Sequence, residues 1–406
     1  MNINSEKKND ILTILNKAAN ILGFNKYSVG LNLGGHKGDG FIGELYKATI
    51  TNEESKKKVD VVVKKAPIEP SRRDETCVAS AFSNEIFFYS KILPALQKLQ
   101  QDHQVDTIFN SVPTYVCSSS EIIKEMLVLK DLTKRGFQMR EKDLVLDEEH
   151  VNFIFQTYGR FHALLFCLKD QKPEEYYSLT KSLHNVLAEF GSKKGFPYSL
   201  HKIVEKSLAA LNSDEDSQVR EKFRKYAKNT TEMYLNAIEY KGKYSTILHG
   251  DCWSNNIMFK YKNSKIEEIC LLDFQMAWVG TPVYDLSYFF YSGGCKELFD
   301  KLEDFLDVHY NSFSRFVKEL GSVPEDLLAR SALSEDWKVY SKFGMFMALL
   351  LTQVKLMSRE DSAEISDSID GNVDGSSKFM NANINNELFN KRVKDILIHM
   401  YENGAL

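Results

Sequence analysis

Two short groups of polar residues carry the chemistry that this sequence could perform. His249, Asp251 and Asn256 form the pattern H-x-D-x-x-x-x-N, and Asp273 follows an apolar run and precedes a phenylalanine. An aspartate in such a loop can orient an attacking hydroxyl group, while an asparagine and a second aspartate supply the oxygen ligands that Mg²⁺ takes beside phosphates. The pattern predicts phosphoryl transfer, with Asp251 as the catalytic residue and Asn256 and Asp273 as metal ligands.

A predicted β-hairpin brings the two metal ligands together. Residues 257–261 and 267–272 are rich in apolar side chains and flank a polar turn at 262–265. This hairpin places Asn256 just before its first strand and Asp273 just after its second. Both side chains are therefore expected at the same end of the hairpin, where they can share one Mg²⁺. His249 is interpreted as a scaffold for the loop and not as a base.

A glycine cluster near the N-terminus lies between two predicted strands and includes Gly35, Gly38 and Gly40. Glycine allows backbone amides to approach phosphate groups closely, because no Cβ stands in the way. Most such clusters are plain turns, and this one does not follow a strict G-x-G-x-x-G pattern. Its position ahead of the other elements favours assigning the three glycines to the phosphates of ATP.

The next predicted strand ends in Lys64 and Lys65. Neighbouring residues on a strand point to opposite faces, so only one of these lysines can enter a cleft. We assign Lys64 to the ATP phosphates. A helix predicted over residues 74–93, ending near Pro94, carries Glu85, which is assigned to hold Lys64 by an ion pair. The alternative is that Glu85 is simply exposed.

A strand predicted over residues 122–129 runs into a polar turn, which we interpret as a hinge between two lobes. Backbone groups of Leu129 and Asp131 are predicted to meet the adenine ring. The fold class expected is α+β, a two-lobed protein-kinase-like fold. Residues 1–130 would form an antiparallel sheet lobe with the ATP site. Residues 131–406 would form a mostly helical lobe with the catalytic loop, the metal site and the substrate-binding helices.

Two further polar residues have structural interpretations that compete with functional ones. His162 lies on the apolar face of a predicted helix that starts near residue 147, and a hydrogen-bonded core histidine is favoured over a catalytic one. Asp285 precedes an apolar helical run, where an N-cap is the simplest interpretation. Anchoring of the catalytic loop is the second role considered for Asp285.

The composition excludes several classes of protein. A net charge of -4 over 406 residues gives no electrostatic argument for nucleic-acid binding. The six cysteines form no C-x-x-C pair, and the N-terminus has no apolar signal region. The most apolar run, residues 345–351, is far shorter than the roughly 20 residues that span a bilayer. We expect a cytoplasmic monomer that acts on a small-molecule alcohol and binds neither nucleic acid nor membrane.

The spacing after the second aspartate argues against a protein kinase. Only twelve positions separate Asp273 from Asp285, and no A-P-E sequence occurs, so an activation segment has no room. Gln275 stands where protein kinases carry a glycine. Trp253 stands two positions after Asp251, where serine/threonine kinases carry a lysine. These features are typical of small-molecule kinases.

The chain resembles the insect ecdysteroid kinase-like family, which is related to the choline and aminoglycoside kinases. The pieces that carry this resemblance follow one another in order along nearly the whole chain: Lys64 to Pro67, Phe82 to Tyr89 with Glu85, Leu127 to Leu132, Gly159 to Ala163, His249 to Asn256, Leu272 to Gln275, and Pro282 with Asp285 and Leu286. The resemblance implies ATP-dependent phosphorylation of a hydroxyl on a steroid hormone or on another small molecule, such as a hydroxylated xenobiotic.

Two alternative functions remain open from the sequence. A choline- or aminoglycoside-type kinase would need an acidic or aromatic box for its cationic substrate, to which Trp253, Trp278 and Tyr284 could contribute. Aromatic residues beside a loop are more often part of the core. A catalytically silent pseudokinase that acts as a binding module would have lost one of the five key residues, and none is lost: Lys64, Glu85, Asp251, Asn256 and Asp273.

Overall fold

The computed structural model describes residues 5–32, 43–141, 144–358, 361 and 375–406. The strands in these residues are β1 Tyr27–Asn32, β2 Glu44–Asn52, β3 Lys58–Lys65, β4 Tyr115–Ser119, β5 Met126–Lys130, β6 Phe137–Met139, β7 Thr246–Ile247, β8 Ile257–Lys262, β9 Lys265–Leu271 and β10 Val279–Gly280. The first nine α-helices are α1 Ser5–Ile21, α2 Pro70–Glu75, α3 Val78–Phe87, α4 Leu93–Asp102, α5 Glu148–Gln171, α6 Pro173–Thr180, α7 Val186–Ser192, α8 Gly195–Ala210 and α9 Ser217–Lys228. The later α-helices are α10 Thr230–Ala237, α11 Pro282–Gly293, α12 Lys296–Phe299, α13 Leu302–Glu319, α14 Pro324–Leu327, α15 Arg330–Tyr340, α16 Lys342–Leu356, α17 Gly375–Asn381 and α18 Asn386–Glu402.

The first five strands form one antiparallel sheet in the order β1-β2-β3-β5-β4. Burial alternates between successive side chains of β3, and Val61 and Val63 on one face are fully buried. Helix α1 covers this face with apolar residues spaced at helical intervals, among them Ile11 and Leu15. The sheet therefore presents one face to α1 and turns the other toward the rest of the chain.

The rest of the described chain is mostly helical and packs around α5, α11, α13 and α16. Two glycines permit close helix crossings in this core. A Cβ at Gly159 would lie 2.5 Å from the backbone oxygen of His309, and one at Gly344 would lie 2.4 Å from the carbonyl carbon of Ser287. The antiparallel sheet followed by this helical part confirms the predicted α+β, two-lobed protein-kinase-like class. The domain boundary after residue 130 stays a prediction.

The predicted hairpin is confirmed as strands β8 and β9, which pair with Ile257 opposite Leu271. Asn263 and Ser264 form its turn with positive φ angles, a conformation that suits the right-handed twist of the strands. Strand β6 pairs with the other edge of β8. The backbone N–H of Leu272 donates to the carbonyl of Asn256 at 2.8 Å, so the residues before and after the hairpin lie side by side.

Two predicted boundaries are wrong. The helix expected over residues 74–93 is divided, and its main part continues past Pro94 to Asp102. A π-helical segment at Phe88–Ile92 precedes Pro94. Its wider turn accommodates the proline ring, which would clash with the preceding turn of a continuous α-helix. The strand expected from residue 122 begins only at Met126, because Ile123 has a φ of 73° and cannot continue an extended strand.

Helix α18 carries a buried histidine that makes the stability of the fold depend on pH. His399 is 5% exposed and lies against Tyr291, whose hydroxyl is hydrogen-bonded to His399 Nδ1 at 3.2 Å. Burial lowers the pKa of His399 to about 4. An unfolded histidine titrates near 6.5, so between these values the unfolded chain binds a proton that the folded chain does not.

The contribution of His399 to the free energy of unfolding is therefore expected to be fully present above pH 6.5. It falls as the pH decreases toward 4, by at most about 3 kcal/mol. Replacing His399 with glutamine keeps an acceptor for Tyr291 and removes the titration. Urea unfolding at pH 7 and pH 5 should show a smaller loss of unfolding free energy for His399→Gln than for the parent. An equal loss in both proteins would contradict this assignment.

Within the part of the chain that the structure describes, no helix is long and apolar enough to cross a membrane.

Candidate active site

Lys64 is the centre of a cluster that joins the sheet, helix α3 and the loop after β9. Its Nζ donates to Glu85 Oε2 at 2.7 Å and to Asp273 Oδ1 at 2.6 Å. The lysine side chain is 12% exposed and the Glu85 side chain 3%. Gly43 allows this arrangement, because a Cβ there would lie 3.1 Å from Lys64 Cγ. The structure thus brings together three residues that are far apart in the sequence.

The charges of this cluster fix the state of the lysine. Burial by itself lowers the pKa of Lys64, but the negative charges of Asp273 and Glu85 outweigh burial and raise it. Lys64 is therefore charged. Burial raises the pKa of Glu85, and the ion pair with Lys64 opposes that rise.

Lys65 points to the other face of β3, as strand alternation requires. Its Nζ contacts Asp10 Oδ2 of helix α1 at 3.2 Å, and the lysine side chain is fully buried. This ion pair connects β3 to helix α1, so Lys65 has a structural role. Of the two neighbouring lysines, Lys64 is the one that faces Glu85 and Asp273.

Asp251 has a hydrogen-bond donor on each carboxylate oxygen. Asn256 Nδ2 donates to Oδ2 at 2.7 Å, and the Tyr288 hydroxyl donates to Oδ1 at 3.0 Å. Loss of hydration and then the charge of Asp273 raise the pKa of Asp251 to about 7, although both donors oppose the rise. A carboxylate with a pKa near neutral is suited to accept a proton from a substrate.

Hydrogen bonds and a glycine fix the backbone of the loop from His249 to Asn256. His249 Nε2 lies 2.8 Å from the carbonyl oxygen of Leu272, and His249 Nδ1 accepts from the N–H of Asp251 at 3.2 Å. These partners require a neutral ring with the proton on Nε2, and burial lowers the pKa of His249 accordingly. Gly250 has a φ of 82°, and a Cβ there would lie 2.0 Å from the carbonyl oxygen of Met276. The loop conformation therefore requires glycine at 250.

Asp285 anchors this loop and is not an N-cap. Helix α11 begins at Pro282 with Thr281 as the N-cap, so Asp285 lies in the first turn. Its fully buried carboxylate accepts from the backbone N–H groups of His249 and Gly250, both at 2.9 Å. The sequence-based N-cap interpretation is thus wrong, because the helix starts earlier at the proline.

His162 is a buried core histidine, as the sequence favoured. Its Nε2 lies 3.2 Å from Asp285 Oδ2, and its Nδ1 lies 2.9 Å from His309 Nε2. Both histidines are fully buried. This chain of contacts links helices α5 and α13 to Asp285, which anchors the loop that contains Asp251.

Asn256 and Asp273 fit a magnesium site. Asn256 uses its amide nitrogen on Asp251, so its amide oxygen is turned to the other side. The contact with Lys64 uses Asp273 Oδ1 and leaves Oδ2 for a cation. Asp273 has a φ of 67°, a strained conformation of the kind found at functional sites. Oxygen ligands in this small number suit Mg²⁺, which keeps waters and phosphate oxygens as its other ligands.

No group of three or more histidine, cysteine, aspartate or glutamate side chains among the described residues could hold a metal ion by itself.

The residues predicted to contact adenine and the phosphates do not join the cluster around Lys64 in any hydrogen bond among the described residues. Leu129 lies on β5, where it pairs with Val62. The Asp131 carboxylate accepts from the backbone N–H of Thr133 at 2.9 Å, and its own N–H donates to the carbonyl of Asp60, so both groups already have structural partners. The three glycines assigned to the phosphates, Gly35, Gly38 and Gly40, lie outside the described residues.

Two residues of the site escaped the sequence analysis. Asn84, next to Glu85 on α3, is fully buried, and its amide donates to the carbonyls of Ala277 at 3.0 Å and His184 at 2.9 Å. The Asn84 amide oxygen accepts from the N–H of His184 at 2.9 Å. Nothing in the sequence signals these partners, which lie 100 or more positions away. Tyr288 lies three residues after Asp285, a helical spacing that could have indicated a shared face.

The aromatic residues considered for a cationic substrate belong to the core. Trp278 stacks on Tyr284 with ring centroids 5.0 Å apart, and Phe343 packs edge-on against Tyr284 at 5.2 Å. Trp278 is 4% exposed and Tyr284 is fully buried. Their observed packing gives no support to an open aromatic box.

Comparison with known proteins yields one family. Residues 37–322 match the model of the ecdysteroid kinase-like family, well over half of the chain. No curated protein matches the chain.

Solved structures of aminoglycoside phosphotransferases also show similarity to the chain. A GDP complex of a mutant aminoglycoside 2'-phosphotransferase-IIIa has a TM-score of 0.43 and 14% identity, covering 97% of this chain and 99% of that chain. The GDP and kanamycin complex of APH(2")-IIia has a TM-score of 0.38 and 15% identity, covering 89% of this chain and 99% of that chain. An aminoglycoside phosphotransferase from Streptomyces rimosus has a TM-score of 0.27 and 10% identity, covering 84% and 98%. Scores this low carry no argument about substrate.

Proposed function

The chain belongs to the ecdysteroid kinase-like family, and from this premise we propose that it is a small-molecule phosphotransferase that uses ATP and Mg²⁺. The acceptor that we propose is a hydroxyl group of an ecdysteroid or of a hydroxylated xenobiotic. The observation that carries the proposal is the position of the Lys64 ammonium group between Glu85 and Asp273. The charged Lys64 lies beside Asp273, whose second carboxylate oxygen we assign to the metal. This arrangement suits the recognition of a nucleoside triphosphate.

In the proposed reaction, the acceptor hydroxyl donates a hydrogen bond to Asp251. The hydroxyl oxygen forms a bond to the γ-phosphorus while the bond from that phosphorus to ADP breaks, and the hydroxyl proton passes to the Asp251 carboxylate. Positioning and charge neutralisation contribute most to such a step. Lys64 binds the α- and β-phosphates, and Glu85 keeps its ammonium group directed at them. Asn256 and Asp273 would hold Mg²⁺, which would supply further positive charge for the phosphate oxygens.

The remaining assignments complete the ATP site. We propose that backbone amides near Gly35, Gly38 and Gly40 contact the phosphates, and that backbone groups near Leu129 and Asp131 meet the adenine. For Asp131 only a role of the backbone carbonyl is compatible with the partners that its other groups already have. Residues 131–406 would then form the catalytic and substrate-binding lobe.

A screen of acceptors tests the proposal. The purified protein is incubated with Mg²⁺ and ATP and with ecdysteroids, hydroxylated plant glycosides or choline, and the products are analysed by mass spectrometry for the addition of one phosphate. We expect turnover of a steroid or xenobiotic alcohol, and none in a parallel sample without Mg²⁺. Turnover of choline with no steroid or glycoside product would favour the cationic alternative. ATP binding without transfer to any alcohol would favour a pseudokinase.

A further inference from the structure

We propose that Tyr288 is a positioning residue for phosphoryl transfer, because its hydroxyl fixes the orientation of the Asp251 carboxylate. The inference rests on the proposed function, in which Asp251 accepts the proton of the acceptor hydroxyl. Among the described residues, the Tyr288 hydroxyl has one hydrogen-bond partner, and that partner is Asp251. Its effect would be exerted through Asp251 alone.

The carboxylate of Asp251 is held at both ends. Tyr288 donates to Oδ1 at 3.0 Å and Asn256 donates to Oδ2 at 2.7 Å, so the two oxygens have different partners on different elements. Rotation of the carboxylate about its Cβ–Cγ bond would break both hydrogen bonds. Each ionised oxygen can accept more than one hydrogen bond. The acceptor hydroxyl can therefore approach Asp251 without displacing either donor.

The donor is itself rigidly placed. Tyr288 is 1% exposed, and its ring packs edge-on against Phe343 with centroids 5.7 Å apart. Burial raises the pKa of the Tyr288 hydroxyl well above its usual value, so the hydroxyl keeps its proton. The ring lies on helix α11, one turn after Asp285, which holds the backbone of the same loop. One helix thus fixes both the backbone and the carboxylate of the catalytic loop.

Helix α11 is in turn held close to α16. Gly344 of α16 lies against Ser287, the residue before Tyr288, so closely that a Cβ would collide with the backbone. The position of the Tyr288 hydroxyl is therefore set by packing between two buried helices. A donor fixed in this way can orient a carboxylate before substrate arrives, which lowers the cost of reaching the reactive geometry.

Replacing Tyr288 with phenylalanine tests the inference, since only the hydroxyl is removed. We expect kcat to fall by about 10- to 100-fold, because the carboxylate is held by Asn256 alone and departs from the line of proton transfer. The KM values for ATP and for the alcohol should stay unchanged, because Tyr288 is 1% exposed and its hydroxyl is occupied by Asp251. Thermal unfolding would verify that the variant is folded.

Tyr291→Phe is the matched control. Tyr291 lies one turn further along α11, is 2% exposed, and its hydroxyl is hydrogen-bonded to Trp337 and His399. This variant loses the same type of buried hydrogen bond on the same helix without touching Asp251. We expect its kcat and KM to equal those of the parent. A kcat for Tyr288→Phe equal to that of the parent, an equal fall in both variants, or a rise in KM alone would overturn the inference.

A crystal structure of Tyr288→Phe gives a test that does not depend on activity. Rotation of the Asp251 carboxylate, or two orientations of it, would support the inference, and an unchanged carboxylate would overturn it. This result stands even if the parent transfers phosphate to none of the alcohols. In that case the proposed function fails, while the structural claim about Tyr288 is decided separately.

Discussion

Replacing Asp251 with asparagine is expected to lower kcat by about 10²- to 10⁴-fold while ATP still binds. The amide has nearly the same shape as the carboxylate but cannot take a proton from the acceptor hydroxyl. Asp251 is hydrogen-bonded to Asn256 and Tyr288 and not to Lys64, so Lys64 keeps its contacts with Glu85 and Asp273. Turnover of the best acceptor and calorimetric titration with ATP and Mg²⁺ measure the two effects separately.

Asp106→Asn is a suitable control for this experiment. Asp106 is an exposed aspartate outside the site, so the same change of side chain should leave both kcat and ATP affinity unaltered. If Asp251→Asn transferred phosphate as fast as the parent, the proton-accepting role of Asp251 would be wrong. If the variant also lost ATP binding, Asp251 would have a role in nucleotide recognition that the proposed mechanism lacks.

The second large effect is expected from Lys64→Met. Methionine fills a similar volume but leaves Glu85 and Asp273 without the ammonium group that lies between them. The phosphates of ATP would then meet only negative charge on this side. We expect kcat/KM for ATP to fall by about 10²- to 10³-fold, comparable to the loss of one essential electrostatic group in other active sites.

The neighbouring lysine provides a matched control. Lys65→Met makes the same substitution on the opposite face of β3, where the lysine pairs with Asp10. This variant should lower the melting temperature, because Asp10 loses the nearer of its two lysine partners and keeps only Lys124 at 3.8 Å, and should keep the parent's KM for ATP. Steady-state kinetics on both variants decide between the two lysines. A larger loss of kcat/KM in Lys65→Met than in Lys64→Met would reverse the assignment.

The parts of the site that the sequence predicted depend on short-range geometry. Strand alternation separates Lys64 from Lys65, and the hairpin between β8 and β9 brings Asn256 beside Asp273. Strand alternation and hairpin geometry both act over a few neighbouring residues, so they can be predicted from one sequence. The order of these elements was sufficient to predict the α+β class and the family.

The parts that were missed depend on packing between distant elements. Asn84 is a buried polar residue next to Glu85 on α3, and only the folded chain shows that Ala277 and His184 are its partners. The helix through Pro94 depends on a π-helical turn whose stability comes from the surrounding core. Asp285 was assigned as an N-cap although Thr281 and Pro282 mark the earlier helix start by local preference alone. The contacts of Asn84 follow from tertiary packing.

Asn84 has a consequence for how the protein could be controlled. Protein kinases are often switched by moving the helix that carries the glutamate partner of the lysine. Here Asn84 binds that helix to the loop after Asp273 and to the backbone of His184. Displacing the helix would therefore break these hydrogen bonds together with the ion pair between Lys64 and Glu85. A reaction started by adding ATP is accordingly expected to reach its full rate without a lag.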